Sequence, residues 1–307
     1  MAVPMTSAGF GDLLDPRFQK IFVEKFKQQP DMIPEIFDMV GSNGRNELKY
    51  SDVGAFGDFS EFTGNVSYDS FSQGYDTTIT PLEFASGFQV TRKLYDDNQF
   101  PGAFDQRPAS LALAAARTRQ KDGARIFNNA FSVDATFYNN TEGLALCSDA
   151  HTTTASGVDT STGFDNKGTA ALSATAVIAA RKQMVKFRDD RGNRITIVPD
   201  ELYVPVDLWD VGHEIVESMG KPGTADNDKN VLQGSLNVKE WIYLTDTNNW
   251  FMGDSALRKE FLKWEDRVPL ELAFVEDFDT LIAKWRAYMR YGNGHLDWRF
   301  ILGAEVS

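Results

Sequence analysis

The chain has 307 residues, of which 42% are hydrophobic, so it can bury a core, and we expect two lobes. Its 44 acidic against 31 basic residues give a net charge of −13, which disfavours a protein that grips nucleic acid by neutralising phosphates. A single cysteine, the lack of a secretory signal and the lack of a bilayer-length apolar run exclude a disulfide framework and predict a soluble protein made in the cytoplasm.

The first predicted element is a short amphipathic helix. Asp15 and Pro16 are typical of an N-cap and a first helical turn, and Pro30 marks the end. This helix is either an ordinary first helix or an arm that lies on a neighbouring subunit. Its inward face would carry three phenylalanines, Phe18, Phe22 and Phe26.

Residues 42–98 show no helical period and are rich in Gly, Ser, Asp, Tyr and Phe. Short alternations at 65–68, 75–80 and 84–92 predict a hairpin of two long strands, with a looser tip within about residues 54–64. A two-stranded ribbon is marginally stable in isolation. We therefore expect this ribbon to project from the body and to pack on another copy of the chain.

The distribution of phenylalanine supports that expectation. Of the 23 phenylalanines, 13 lie before residue 108, and such large apolar side chains must be buried against something. The residues predicted to contact another subunit are the helix phenylalanines Phe18, Phe22 and Phe26 and the ribbon aromatics Phe56, Phe59, Phe62, Phe71, Tyr75 and Phe84.

The longest helical pattern runs from Pro108 to Val133, where Pro108 suits the first turn. Its alanine-rich first half would let another element pack closely against it. Small residues and then aromatics recur at steps of three and four on one face, namely Ala112, Ala115, Ala116, Gln120, Ala124, Phe127 and Phe131. This helix is predicted to be scaffold.

A second lobe is predicted after a polar surface excursion at residues 139–170. Ser173 should cap a helix whose inner face carries Val177, Ala180, Met184 and Phe187. Further predicted elements are a strand at Ile195–Val198, a strand at Tyr203–Pro205, a helix capped by Asp207, a flexible loop at Lys221–Asn230, and a hairpin of Val238–Leu244 with Trp250–Met252. This mixture is typical of an α+β lobe.

The last section returns to strands. Leu270–Val275 is apolar, and the next predicted strand alternates on one buried face through Ala283, Trp285, Ala287, Met289 and Tyr291. Gly292-Asn293-Gly294 predicts a tight turn into Leu296–Leu302. This sheet should support the long helix.

Candidate catalytic chemistry is sparse. Cys147 and His151 have a spacing that could hold a metal, but two ligands make a weak site. The acidic pairs Asp189-Asp190 and Asp200-Glu201 fall where carboxylates commonly cap elements. An enzyme would need a closed pocket around them. We expect no enzyme, no catalytic or metal residues and no cofactor.

Several extended sequence segments, spread over essentially the whole chain, resemble those of a known protein family. They are FGDLLDPRFQKIFVEKFKQQP, YDSFSQGYDTTITPLEFASGFQVTRKLYDD, FNNAF, GLALCSDAH, TIVPDELYVPVDLW, NVLQGSLNVKEWIYLTDTNNWFMGD and KWRAYMRYGNGHLDWR. The chain resembles the major capsid proteins of tailed bacteriophages, in the group of the Mu-type major head subunit. The resemblance implies an α+β fold of the Hong Kong 97 type, with an N-terminal arm at 1–41, an extended loop at 42–98, a peripheral domain at 99–171 with a spine helix at 108–133, an axial domain at 172–253, and a return to the peripheral domain at 254–307 whose last strand can rejoin the axial domain.

The resemblance also implies a function. Hexamers and pentamers of the chain would form an icosahedral shell around double-stranded DNA without sequence-specific or membrane binding. Implied partners are a portal protein and scaffolding and decoration proteins; because the chain begins close to the arm, we expect a separate scaffold or none. The protein would be assembled in the host bacterial cytoplasm and reside in the virion. The alternative is an encapsulin-like compartment of the same fold.

Overall fold

The computed structural model describes residues 8–42, 44–59, 61–62, 64, 66, 68, 73–91, 93–94, 101–220, 229–277 and 279–307. Side chains are described from residue 17 onward, apart from 101–104 and 138. Within this part of the chain lie three β-sheets, which are covered and joined by helices.

The first sheet has the strand order β1-β10-β11-β4. Its strands are β1 (Asp38–Val40), β4 (Leu82–Thr91), β10 (Leu262–Asp277) and β11 (Ile282–His295). The long strands are antiparallel, and β1 joins β10 in parallel. The predicted inward alternation is confirmed for Trp285, Ala287, Met289 and Tyr291, which are all buried.

The predicted turn at Gly292-Asn293-Gly294 is wrong. These residues continue β11 and pair with Glu265, Trp264 and Lys263 of β10. Gly292 lets β11 pass close to Ile79 and Pro81, because a Cβ at this position would lie 3.1 Å from Ile79 and 3.2 Å from Pro81. Close packing, rather than chain reversal, accounts for this glycine.

The second sheet has the order β6-β12-β9-β7-β8. Its strands are β6 (Lys167–Gly168), β7 (Glu201–Val204), β8 (Asn237–Glu240), β9 (Trp250–Gly253) and β12 (Ile301–Ala304). The predicted hairpin of Val238–Leu244 with Trp250–Met252 is wrong, because β7 lies between β8 and β9 and pairs with both. The predicted strand at Ile195–Val198 is also absent; Val198 N–H donates to Asp254 Oδ2 at 2.7 Å instead of to a ladder.

The third sheet is the ribbon. Strands β2 (Leu48–Val53) and β3 (Gln73–Ile79) form the predicted hairpin, and β5 (Tyr138–Asn140) adds to β3. The segment predicted at 84–92 is not part of this hairpin, since residues 84–91 lie in β4 of the first sheet and residue 92 lies outside the described residues. Of the predicted alternation at 65–68, residues 66 and 68 lie outside any strand, and 65 and 67 are outside the described residues.

The helices are α1 (Ala8–Lys27), α2 (Ile33–Ile36), α3 (Pro101–Asn128), α4 (Ala174–Met184), α5 (Trp209–Glu217) and α6 (Ser255–Phe261). Helices α1 and α3 begin earlier than predicted, so that Pro16 and Pro108 lie inside them. Ser173 caps α4 as predicted, accepting the Ala176 N–H at 3.2 Å. Asp207 does not cap α5, because it lies in a 3₁₀ turn at Val206–Leu208.

The carboxyl-terminal half of α3 enters the main core. The ring of Phe127 packs within 5.1–5.6 Å of the rings of Tyr203, Trp241 and Phe251. A side chain at Gly123 would collide with Ile33 of α2, which accounts for a glycine in mid-helix. Helix α3 therefore touches both the second sheet and the amino-terminal segment, which confirms its role as scaffold.

A buried charge cluster joins the same parts. Arg258 donates to both oxygens of Glu201 at 2.6 and 2.9 Å and to the Glu35 carbonyl at 3.1 Å. Lys239 Nζ lies 3.1 Å from Glu201 and 2.6 Å from the Glu35 carboxylate. Burial alone would raise the pKa of Glu201, but the donors Arg258 and Tyr203 and the charge of Lys239 hold that pKa below its ordinary value.

Replacing Arg258 by Met should lower the free energy of unfolding by about 3–5 kcal/mol, because the buried Glu201 carboxylate loses its bidentate partner. Urea denaturation followed by tryptophan fluorescence measures the change. The control Arg117→Met alters an exposed arginine of α3 and should stay within about 0.5 kcal/mol of the parent chain. Equal effects of the two substitutions would contradict a structural role for the cluster.

Candidate functional site

The residues considered for catalysis hold the fold together instead. Asp189 Oδ1 accepts the N–H groups of Arg191 and Asn193 at 2.9 and 2.8 Å, and Asp200 accepts the Ser255 N–H at 2.8 Å. The cavity beside Asp190 has a volume of about 40 Å³, room for a few water molecules and no larger ligand. Asp189 and Asp200 are thus engaged by backbone N–H groups, and the cavity beside Asp190 has room for water alone.

Cys147 and His151 do not form a metal site. Burial raises the pKa of the Cys147 thiol, which disfavours the thiolate that binds metals. His151 is stacked on Trp298 at 4.3 Å, with its two ring nitrogens 3.1 Å from Glu142 and Asn166 oxygens. Among the described residues, no group of three His, Cys, Asp or Glu is arranged to hold a metal.

In the same part of the chain, no helix is both long and apolar enough to cross a bilayer.

The most exposed aromatic side chains lie on the segment between β2 and β3. We call residues 54–68 the ribbon tip. Their exposed fractions are 59% for Phe56, 97% for Phe59, 71% for Phe62 and 93% for Tyr68. Because soluble monomers rarely expose a run of large apolar groups, this tip is the candidate functional site.

The other predicted contact residues are covered by their own chain. Phe18 and Phe22 are each 2% exposed: Phe18 packs 5.3 Å from Trp285, and Phe22 packs in a cluster with Ala112. Phe26 is half-buried against the same cores. Since α1 lies against α3 and the first sheet of its own subunit, these phenylalanines have little area left to offer a neighbour.

The remaining predicted residues have separate environments. Phe84 is half-buried and stacks on Tyr291 at 4.7 Å. Tyr75 lies at the root of the ribbon, where its hydroxyl is 2.6 Å from Thr152 Oγ1. Phe71 lies outside the described residues. Of the nine predicted residues, three are more than half exposed, namely Phe56, Phe59 and Phe62.

The polar tract 139–170 fastens the ribbon at its root. Thr154 Oγ1 donates to the Gln73 carbonyl at 2.9 Å, and Asp76 N–H donates to Thr141 Oγ1 at 2.8 Å. Just beyond β2, at the start of the ribbon tip, Ala55 N–H donates to Asp190 Oδ1 at 3.0 Å, and Asp190 follows this tract in the chain. The prediction of a surface excursion is therefore only partly right. The tract holds the root of the ribbon in place, and its buried residues are Leu146, Cys147, His151, Phe164 and Asn166.

Asn166 explains how an irregular tract can be buried. It is fully buried, and its amide donates to the carbonyls of Leu146 and Ile301 at 2.8 and 3.1 Å. Its Oδ1 accepts the Ser148 N–H at 2.8 Å. One side chain thus replaces the backbone pairing that a strand would supply. Pattern analysis could not find it, because a lone Asn in a polar tract resembles any loop residue.

A second exposed apolar set lies on the other lobe and was not predicted. Met219 and Val231 are 78% and 74% exposed, and a hydrogen bond from Asn230 N–H to the Met219 carbonyl places them close together. Trp209 and Ile242 are 48% and 64% exposed. The available signal was that Met219 and Val231 flank the polar run at 221–230 instead of continuing a helix or strand.

Glu265 lies beneath the root of the ribbon. This residue of β10 is 1% exposed and pairs with Val40 of β1 and Gly292 of β11. Burial raises the pKa of its carboxyl group, and Arg267, Ser42 and Arg290 offset part of that effect. The same charge contributes to the raised pKa of Tyr50 in β2, after burial as the main cause. A titrating group therefore sits where the arm, the ribbon and the first sheet meet.

Comparisons with known proteins agree with this architecture. A sequence profile of the phage capsid protein family matches residues 74–304. No curated protein matches the chain at a significant level.

Solved capsids share the fold. The mature capsid of bacteriophage PhiM1 matches with a TM-score of 0.61 at 12% identity, covering 91% of this chain and 88% of that chain. The capsid of cyanophage P-SCSP1u gives a TM-score of 0.54 at 13% identity, with 90% and 88% covered. The capsid of a native GTA particle gives 0.53 at 14% identity, with 89% of each chain covered.

The position of Glu265 predicts a pH dependence of stability. Since its pKa is raised in the folded chain, folding takes up a proton between the ordinary and the raised pKa, so the stability due to this group is lost as pH rises through that window. Glu265→Gln should flatten this part of the profile and increase stability at neutral pH. Thermal unfolding from about pH 4 to about pH 8 tests it.

The matched control is Glu83→Gln, which changes an exposed glutamate of the same sheet. An unchanged profile in Glu265→Gln, or an equal change in the control, would contradict the assignment to Glu265.

Proposed function

This chain belongs to the phage capsid protein family, and from that premise we propose how it builds a shell. It is a structural protein of the virion capsid and not an enzyme, and it serves as the major capsid protein of a tailed bacteriophage. The match of residues 74–304 to a family of phage capsid proteins favours this function over the encapsulin-like alternative.

Copies of the chain assemble with one another into hexamers and pentamers of an icosahedral shell. The observation that carries this proposal is the ribbon tip, where Phe59 and Phe62 are 97% and 71% exposed and Phe56 is 59% exposed. Fully burying a phenylalanine contributes about 1.5–3 kcal/mol, so three rings per subunit supply a substantial part of a subunit contact. Repeated around a closed shell, each contact strengthens the next by raising the effective concentration of its neighbours.

We assign the Hong Kong 97 subdivisions to this chain as follows. The arm spans 1–41 and the extended loop 42–98, of which 82–91 is already a strand of the first sheet. The peripheral domain contains the first sheet and the spine helix, which is α3 at Pro101–Asn128. The axial domain spans 172–253, and β12 at Ile301–Ala304 returns to its sheet. The exposed set around Met219 and Val231 then serves contacts within a capsomer.

The charge of the chain suits its cargo. With a net charge of −13, the subunit does not hold DNA by neutralising phosphates, so the shell encloses double-stranded DNA without sequence-specific binding. Assembly takes place in the host bacterial cytoplasm, and a portal protein, with scaffolding or decoration proteins, completes the particle.

The triple variant Phe56→Ser, Phe59→Ser, Phe62→Ser should remain folded but fail to form stable closed shells, because the contact loses its apolar area. Each substitution is exposed and should change the free energy of unfolding by no more than about 0.5 kcal/mol. Negative-stain electron microscopy and sedimentation velocity report assembly.

The control replaces the same three residues by Leu, which keeps apolar area at the tip and should preserve assembly. Deleting residues 54–64 should give the same soluble, unassembled subunit as the serine variant. Normal particles from the serine variant or the deletion would refute the role of the ribbon tip.

A further inference from the structure

Helices α1 and α3 lie side by side on one face of the first sheet. Phe18 of α1 packs on Trp285, and Phe22 packs in one cluster with Ala112 of α3 and Ala287 of β11. Trp285 and Ala287 share a face of the sheet, because they are two residues apart along the strand. The outer sides of both helices therefore point away from the sheet in the same direction.

Contacts between the two helices show that they run parallel. Arg17 of α1 pairs with Asp105 of α3 near one end. At the other end, Asp31, just after α1, accepts a hydrogen bond from the Gln120 side chain at 2.6 Å. Both residue numbers increase in the same direction, so the helices are parallel. At about 1.5 Å per residue, the surface they share between Asp105 and Gln120 is about 22 Å long.

The outer surface of this helix pair is basic, although the chain is acidic. Among the described side chains of the two helices, Glu24 is the one exposed acid. The exposed basic side chains are seven, namely Arg17, Lys20, Lys25, Lys27, Arg107, Arg117 and Lys121. In the whole chain, 44 acidic residues outnumber 31 basic ones. Charge is therefore segregated, and we call these seven residues the basic face.

The contacts within the subunit do not account for the basic face. Lys20 lies 3.9 Å from Glu24, an exposed pair of the kind that contributes little to stability. The helix dipole favours cations in a last turn only, and α3 ends at Asn128, far beyond Arg107 and Arg117. Four of the seven form no ion pair with any described residue, namely Lys27, Arg107, Arg117 and Lys121.

The chemistry of this surface suits a nucleic-acid backbone better than a protein. Protein–DNA interfaces are polar and positively charged, whereas charged residues are depleted from the cores of protein–protein interfaces. Exposed Gln106 and Ser110 add groups that also contact phosphates. The large apolar side chains exposed on the described parts of these helices are Val23 and Leu113, at 46% and 43%. A length of about 22 Å faces about 13 phosphates of B-DNA, enough for every cation of the basic face.

We infer that the basic face of α1 and α3 lies against the phosphate backbone of the packaged double-stranded DNA. The inference rests on the proposed shell function, and it assigns this side of the first sheet to the interior of the shell. Seven cations on a subunit with a net charge of −13 give a weak, salt-dependent contact. The face thus positions the outermost DNA without holding it tightly.

Binding of a DNA duplex of about 20 base pairs to unassembled subunits tests this surface. The serine variant of the ribbon tip is the background, because it leaves both helices accessible. Adding Lys20→Gln, Lys27→Gln and Arg117→Gln should weaken binding at least about tenfold in about 50 mM salt, measured by fluorescence anisotropy. The slope of log K against log salt should fall by about 2.7, since each phosphate contact contributes about 0.9.

The matched control carries Lys259→Gln, Lys284→Gln and Arg286→Gln. It removes the same charge from exposed side chains outside the two helices. Lys284 and Arg286 lie on the opposite side of β11 from Trp285, so they face away from the helix pair. Binding should stay within about twofold of the background, because distant charges are screened by salt.

Lysine acetylation of whole particles gives a second, independent measurement. DNA-filled and empty particles are treated with a small acetylating reagent, and the modified peptides are quantified by mass spectrometry. Lys20, Lys27 and Lys121 should react several-fold less in filled particles than in empty ones, because DNA covers them. Lys284, on the other side of the sheet, should react equally in both.

The outcomes separate this inference from the proposed function. Equal duplex binding by the variant and its background, or an equal loss in the control, would overturn the assignment of the basic face. Protection of Lys20 and Lys27 in empty and filled shells alike would show that protein covers the face, and would overturn it too. Each of these results leaves the shell function standing. A chain that forms no shells would contradict the shell function itself, whereas duplex binding is measured without shells.

Discussion

The carboxylate of Glu201 is the constraint on which the rest of the structure depends. It is 4% exposed on β7, an inner strand of the second sheet, where an uncompensated charge would be costly. Arg258 and Lys239 compensate it, and both cations also reach Glu35 of the amino-terminal segment. The two cations that neutralise Glu201 are therefore also held by Glu35 of α2, which links the second sheet to the amino-terminal segment. One cluster thus joins α2, α6 and two strands that are distant in sequence.

The scaffold fixed in this way supports a ribbon that it does not cover. Hydrogen bonds from Thr154 and Tyr75 hold the root, and Ala55 is tied to Asp190. Further along the tip, Phe59, Phe62 and Tyr68 are 97%, 71% and 93% exposed. A rigid root with an apolar, exposed tip is the physical arrangement of a connector, since the root sets the direction and the tip gains free energy only when a neighbour buries it.

Much of this organisation was predictable from local patterns. Alternation through Trp285 and Met289 identified the long strand β11, and Ser173 marked the start of α4, because each signal needs only neighbouring residues. The ribbon was placed only in part: the alternation at 75–80 lies in β3 as far as Ile79, whereas residues 84–91 of the segment predicted at 84–92 belong to the first sheet. The predictions that were wrong concern residues whose role depends on contacts distant in sequence. The sequence near Gly292 is typical of a turn, but this glycine is needed for close packing against Ile79.

The strand order of the second sheet could not be predicted from local sequence patterns for the same reason. Val238 and Trp250 are close in sequence, yet β7 lies between their strands, and nothing in either segment specifies that insertion. For the candidate site, composition predicted exposed aromatics but could not tell Phe18, which its own Trp285 covers, from Phe59, which nothing in its own subunit covers. That difference lies in tertiary packing.

The most direct test of the central claim, that subunits are joined through the ribbon tip, is a cryo-electron microscopy reconstruction of particles assembled from the purified chain. The account predicts a closed shell in which residues 54–68 of each subunit lie on a neighbouring subunit, with Phe59 buried. A shell in which this segment folds back on its own subunit, or faces solvent with Phe59 uncovered, would contradict it.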